Sequence, residues 1–318
     1  MQYKIEWTLQ SPIETQLQSD TIFGHICWAL AMEFGEKELL DFLDKMREPK
    51  LLLSSAFPKN TLPLPKLKPL YGDLPPDLPS ALLKRKKMKD AKKLSYLPIE
   101  MWENKQQDYV HSEALEQNEA ITAMLEESFK LEKDLVTHNS INRITGTTTK
   151  GGASLYAETV TFARENTVFE SYLQTDAYTL SEDKLRAVFS FIENSGFGRN
   201  KHTGRGKFRI TIQECELPQV ENPNAWLLLS NMVPAPDDPA PACYEGFVKF
   251  GRLGGKYATG GKSPFKKPLF LFKPGAVFFG SKQPRGMLVQ NIHPDDPGIC
   301  QHAYAMSLGF HIKGGQNA

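Results

Sequence analysis

Four glycines and five cations share one short stretch of this chain, Gly196-Phe197-Gly198-Arg199-Asn200-Lys201-His202-Thr203-Gly204-Arg205-Gly206-Lys207-Phe208-Arg209. Glycine takes up positive φ at little steric cost and lets backbone N–H groups approach a ligand, while Arg199, Lys201, Arg205, Lys207 and Arg209 bring positive charge to the same turn. Bare N–H groups ringed by cations suit a phosphate chain. Gly196, Gly198, Thr203, Gly204 and Gly206 are therefore read with the cations as an anion-binding loop; the plainer reading is a basic turn with no ligand. Two familiar phosphate motifs do not fit. A dinucleotide fingerprint follows a strand and opens a helix, whereas Gly196 follows a predicted helix and Lys201 stands third after Gly198. Gly255 to Ser263 has five residues between its flanking glycines where a P-loop has four, and Pro264 follows at once.

Two histidines could move protons. His25 sits on a predicted helix among Ile22, Phe23, Ile26 and Cys27, where a packed ring is the plainer role and a general acid or base the alternative. His202 lies among the loop cations and is read as a ligand contact. No His, Asp or Glu cluster has metal-ligand spacing, so no metal and no cofactor is expected. Phe197, Phe208, Tyr156 and Tyr257 could stack on unpaired bases, though for each alone a place in the core is the plainer role.

The elements that must position this loop follow from periodicity. Tyr3 to Leu9 alternates apolar and polar residues, the pattern of a strand with one face on a core. Ser19-Asp20-Thr21 precedes a helical stripe of Ile22, Phe23, Ile26, Cys27, Leu30, Ala31 and Phe34, with Gly35 as the stop, so these small oxygen-bearing residues are expected to cap the helix. Eight prolines between Phe57 and Pro98 predict irregular structure until about Ser80. Within that segment, Lys84 to Lys93 packs seven cations into ten residues against Asp90 alone, a run that suits a solvated helix face, RNA or an acidic partner. Ser112 to Asp134 is acidic and helical in composition, and Asn139 to Gly152 is small and polar. Tyr156 to Phe162 and Thr167 to Thr179 read as a hairpin. Ser181 caps a helix bearing Leu185, Val188, Phe189 and Ile192, and Phe208 to Ile212 is the strand after the glycine-rich loop. Beyond about Val220, short strands such as Phe247 to Phe250, Pro268 to Phe272 and Ala276 to Phe279 alternate with Pro and Gly/Lys turns. The expected extents are 1–219, with an insertion at about 57–135, and a smaller β-rich part at 220–318.

Composition narrows the function. The chain has 318 residues, 38 Lys and Arg against 37 Asp and Glu, and a net charge of +1, so it is no histone-like coat and any nucleic-acid surface is local. Its start lacks a secretory pattern, no apolar run is long enough to span a membrane, and Cys27, Cys215, Cys243 and Cys300 form no Cys-x-x-Cys pair. A cytoplasmic protein with no membrane contact is expected.

In order, the first part reads strand, helix, variable middle with strands, helix, glycine-rich basic loop, strand. This is a ferredoxin-like βαββαβ order, and a glycine-rich loop before the last strand resembles the RAMP superfamily of CRISPR proteins. The segments Ser19 to Leu30, Leu51 to Pro58 with Leu62 to Pro65, His138 to Gly146 with Leu155-Tyr156, and Lys267 to Phe278 resemble the fourth-subunit family of type III-A Csm effector complexes. The Pro- and Lys-rich middle is a weak match. The resemblance implies an α+β fold of two ferredoxin-like (RRM-like) domains, the first with a large insertion. It implies a non-catalytic subunit in antiviral defence that grips the repeat-derived 5′ tag of CRISPR RNA. Its partners would be the large polymerase/cyclase-like subunit and the backbone RAMP subunit, with target RNA met indirectly. Further RNA contacts implied are Asp20, His25, Asn142, Arg143, Arg252, Gly254 and Gly255. The rival is a metal-independent endoribonuclease that processes CRISPR RNA with His25 or His202.

Overall fold

A computed structural model of the chain describes residues 1–67, 77–91, 93–148, 155–254 and 263–313. In chain order the first elements are β1 (Gln2–Leu9), α1 (Ser19–Phe34), α2 (Glu36–Lys45), β2 (Leu51–Leu53), β3 (Phe57–Pro58), β4 (Thr61–Pro63), α3 (Leu78–Ala91) and β5 (Tyr96–Pro98). Then come α4 (Ile99–Lys105), α5 (His111–Glu116), α6 (Asn118–Ser128), β6 (Leu131–Asn139), β7 (Leu155–Ala163), β8 (Val168–Thr175), α7 (Glu182–Ser195) and β9 (Phe208–Glu214). The rest is strand: β10 (Ala225–Leu228), β11 (Pro241–Cys243), β12 (Gly246–Lys249), β13 (Leu269–Phe272), β14 (Val277–Phe279), β15 (Gly286–Val289), β16 (Gln301–Tyr304) and β17 (Ser307–Phe310). The fold class is α+β.

The loop-bearing sheet runs β2-β8-β1-β9 with every pairing antiparallel. Trp7 in β1 faces Phe169 on one side and Ile210 on the other. The alternation of β1 turns Tyr3, Ile5, Trp7 and Leu9 inward onto α1 and α7, which bury Ile22, Phe23, Ile26 and Leu30, and Leu185, Val188, Phe189 and Ile192. Trp7 is the hub, with the rings of Phe189, Phe197 and Phe208 edge-on at 5.6, 5.8 and 5.7 Å. Phe197 and Phe208 are thus core residues, the plainer of their two readings, and present no face to a base.

Three sequence expectations give way to tertiary packing. Ser19 and Asp20 do not cap α1; Gln18 takes that position without a side-chain bond, and both oxygen-bearing residues turn into the protein. The hairpin is not formed by 156–162 and 167–179, because β7 pairs along its length with β6, while β8 enters the main sheet between β2 and β1. The β6/β7 ribbon is largely exposed, and its base is tied down where Ile13 and Thr161 exchange backbone bonds of 2.9 and 2.8 Å. The Pro-rich middle is more regular than expected, with β4 paired to β5 through Thr61 to Pro63.

The second sheet runs β11-β14-β10-β17. Its Leu227, Val277, Leu308 and Phe310 share one core with Leu62, Leu97, Trp102, Tyr109 and Leu115 from the Pro-rich and acidic middle of the chain. The segment between the first sheet's strands thus supplies the helical layer that the chain after Val220 lacks among its described residues. No helix of the described residues is long and apolar enough to cross a membrane.

Candidate nucleic-acid interface

The loop begins where α7 ends. Ser181 caps that helix by accepting from the Lys184 N–H, and Gly196, at φ 77°, ends it with its own N–H on Ile192 O. Phe197 then plunges toward Trp7, and its N–H reaches Gly206 O at 2.8 Å, closing the loop on itself. The Gly206 N–H goes to Pro12 O at 2.9 Å, the Lys207 N–H to Ser11 Oγ at 2.9 Å and the Arg199 N–H to Thr15 Oγ1 at 2.9 Å. The Gly198 N–H goes to His25 Nε2 at 3.0 Å. These donors are used inside the protein, which corrects the expectation of bare N–H groups aimed at phosphate.

Two of the glycines serve a different purpose, close packing of the loop on residue 15 and on itself. A Cβ on Gly198, at φ 78°, would sit 2.4 Å from Thr15 Cβ, and one on Gly206, at φ 64°, would sit 2.0 Å from Phe197 O. At Gly204 a Cβ would meet nothing within 4 Å. Asn200 takes the left-handed conformation and starts a short 3-10 turn, Lys201–Thr203, that holds His202 and Thr203 out to solvent.

Two carboxylates that the sequence reading missed shape the charge of the loop. The Glu14 side chain is only 2% exposed, and its oxygens take Asn200 Nδ2 at 3.0 and 3.1 Å, Arg205 Nε at 3.4 Å and Arg199 Nε at 3.7 Å. Glu158, on β7, takes Arg199 Nη2 at 2.6 Å and Asn200 Nδ2 at 2.9 Å, with His138 Nε2 at 3.5 Å. No local pattern could have found them, since one lies on the 11–15 segment and the other on the β6/β7 ribbon. Arg205 is thus half-buried against Glu14, whereas Arg199 remains 65% exposed despite its two partners. Lys207 and Arg209 are exposed, and Arg209 borders a groove of about 570 Å3 lined by residues 8–12 and 162–166. Lys201 is half-buried, and burial holds its ammonium below its ordinary pKa.

His25 stacks on Phe197 with ring centroids 4.3 Å apart. Burial, aided by the Lys201 ammonium, pushes its pKa down to about 3, so at neutral pH the ring is uncharged and Nε2 is occupied as the acceptor for Gly198. That arrangement fixes the loop to α1 and leaves no free Nε2 lone pair for a proton.

The remaining site residues lie elsewhere. Asp20 is buried, with Asn231 Nδ2 on Oδ1 at 2.9 Å and both Lys249 Nζ and Gln301 Nε2 on Oδ2, so its side chain ties α1 to the second half of the chain and offers no surface to RNA. Asn142 and Arg143 occupy the exposed turn at the end of the β6/β7 ribbon, where Asn142 Oδ1 accepts from the Ile144 N–H at 2.9 Å. Tyr156 is half-exposed and stacks on His138. Arg252 is exposed beside Phe265, and Gly254 is exposed two residues on. Gly255, Tyr257 and the P-loop-like segment lie outside the described residues, apart from Ser263. Among the described residues no group of His, Cys, Asp and Glu could hold a metal ion.

No protein-family model matches the chain, and no curated protein does. Solved structures do. A chain of the "Csm1-Csm4 cassette in complex with pppApA" matches with a TM-score of 0.60 at 14% identity, covering 99% of each chain. A chain of the "Csm3-Csm4 subcomplex in the type III-A CRISPR-Cas interference complex" matches with a TM-score of 0.60 at 16% identity, covering 98% of this chain and 99% of that one. The cassette with cA4 gives the same score over 99% of this chain. The likeness at this identity is one of fold. Csm4 is the component that both kinds of structure name, and the likeness to a chain of each runs over nearly the whole length of this one.

Proposed function

We propose that the chain is a non-catalytic, cytoplasmic subunit of a type III-A CRISPR effector complex that holds the repeat-derived 5′ tag of CRISPR RNA. In this reading the chain carries two ferredoxin-like domains, the second built from the strands after residue 220 and the helical layer of the 57–135 segment. The subunit links the large polymerase/cyclase-like subunit to the backbone RAMP subunit and meets target RNA only through them. The observation that carries the reading is the shared fold over nearly the full length of both chains, with structures whose names pair Csm4 with Csm1 in one case and with Csm3 in the other.

The loop supports it from the chemistry. Lys207 and Arg209 stand exposed beside one docked turn, so they can neutralise phosphates without the chain having to order itself first, while Arg199, exposed although paired with Glu158, and His202 border them. Binding without cleavage fits the state of His25, which is neutral and already an acceptor. Purified protein mixed with labelled tag RNA, run on native and denaturing gels at two salt concentrations, tests the reading. A shifted band of intact RNA, weaker at higher salt, is the expected outcome. Metal-independent cleavage lost in His25→Ala or His202→Ala would overturn it in favour of a processing nuclease.

A further inference from the structure

Residues 246–273 contain seven Lys and Arg, six aromatic residues and no Asp or Glu. In a chain with almost balanced charge, this is its most one-sided run of both properties together. Its described parts form an antiparallel ribbon in which β12 pairs with β13, prolonged by the Arg252–Phe265 bridge and by the Lys266 N–H on Gly251 O at 2.9 Å. Strand alternation places Val248, Phe250 and Arg252 on one face, opposite Phe270 and Phe265. On that face Phe250 is 73%, Phe265 56% and Phe270 51% exposed. The Phe270 ring lies so close over Gly246 that a Cβ there would come within 2.1 Å of it, and the Arg252 guanidinium stands 5.8 Å from the Phe265 centroid.

The back of the ribbon is fastened to the body of the protein. Leu271 is fully buried, Lys249 Nζ bonds Asp20, Thr21 Oγ1 and Gln18 Oε1, and Lys266 Nζ bonds Cys300 O at 3.1 Å and Gln301 Oε1 at 3.0 Å. The exposed phenylalanines are thus presented by an anchored strand pair and are not loose side chains. Of the described cations, Lys249 and Lys266 face the body and Lys273 pairs with Glu245, while Arg252 shares the ring face; a guanidinium there suits a phosphate, and exposed flat rings call for flat apolar partners. Single-stranded nucleic acid combines both, since each unpaired base has a π face next to a phosphate.

We propose that the Phe250, Phe265 and Phe270 face is a stacking platform for unpaired bases of RNA, with Arg252 meeting the adjoining phosphate. This rests on the RNA-binding reading above and adds to it a contact that senses bases, where the glycine-rich loop senses phosphate. The test compares a labelled ten-nucleotide RNA with an oligonucleotide of equal length and charge carrying abasic sites, by fluorescence anisotropy on the full chain. The wild type should favour the base-bearing strand about fivefold or more, the low end of one base–aromatic stack. The F250L/F265L double variant, which keeps apolar bulk, should lose that preference while its affinity for the abasic strand and its salt slope stay unchanged. F250W should keep the preference, with its indole emission quenched by RNA. Wild-type binding that ignores the bases, or a double variant that still prefers them, overturns the platform and leaves RNA binding standing. If wild type binds neither strand, the RNA reading itself fails and the platform falls with it. Loss of wild-type self-association in F250L/F265L, measured by light scattering, would overturn the platform by marking the face as a protein interface.

Discussion

Replacing Gly206 by alanine separates docking from phosphate cradling as the purpose of the loop glycines. Gly206 has φ 64°, and a Cβ would lie 2.0 Å from Phe197 O and 3.1 Å from Phe197 C, both backbone atoms that cannot swing aside. The left-handed conformation alone costs alanine about 1–2 kcal/mol. Relieving the clash must also stretch the Phe197 N–H to Gly206 O bond of 2.8 Å, worth about another 0.5–1.5 kcal/mol, and shift Phe197 beside Trp7. The expected loss is roughly 2–4 kcal/mol by urea unfolding with an unchanged denaturant slope. Gly204 is the internal control. It has φ 89° but open space around its Cβ position, so Gly204→Ala should cost only about 1–2 kcal/mol. Equal losses at the two sites, or G206A within about 0.5 kcal/mol of wild type, would refute the docking account. A cradle of bare N–H groups predicts instead that both variants lose RNA affinity, with only the left-handed strain of about 1–2 kcal/mol at each site.

Other consequences follow from the charges. Lys207→Ala should lower the log–log salt slope of RNA binding by about 0.7, and Arg205→Ala should change it little, because Glu14 already pairs with Arg205; equal changes in anisotropy titrations would contradict this. His25 has its pKa lowered from about 6.5 in the unfolded chain to about 3, so the unfolded state binds the extra proton and stability falls as pH drops below about 6.5. Buried His302, lowered to about 4, adds to the same trend. Urea midpoints between pH 7 and 5 should therefore decline in wild type and decline less steeply in His25→Gln. Asp20→Asn leaves the Lys249 ammonium without its carboxylate, and about 1–3 kcal/mol of stability should be lost. Adding Lys249→Met should recover part of that in thermal unfolding, and a simple sum of two losses would show that the pair is not coupled.

What could be read from the chain alone was whatever depends on near neighbours. The inward face of β1, the Ser181 cap and the Gly35 stop are local patterns, and they stand as expected. The loop was also legible as a place, because four glycines and five cations in one stretch need no partner to be noticed. Its electrostatics were not legible. Glu14 and Glu158 reach it only because the 11–15 segment and the β6/β7 ribbon fold beside it, and each removes positive charge that the sequence count left free.

The same limit explains why Asp20 was misjudged. A Ser-Asp-Thr run before an apolar stripe is the usual sign of a helix cap, yet Asp20 is claimed by Asn231, Lys249 and Gln301, all more than two hundred residues away. Burying a carboxylate is costly unless it is paired and fully hydrogen-bonded, and here three donors from the second half of the chain meet that need. Among them is Lys249 of the aromatic ribbon, so the residue that looked like a cap is the anchor of a surface. Asp20 therefore acts on that surface through the rigidity it lends to Phe250 and Arg252 and not through any exposed contact of its own.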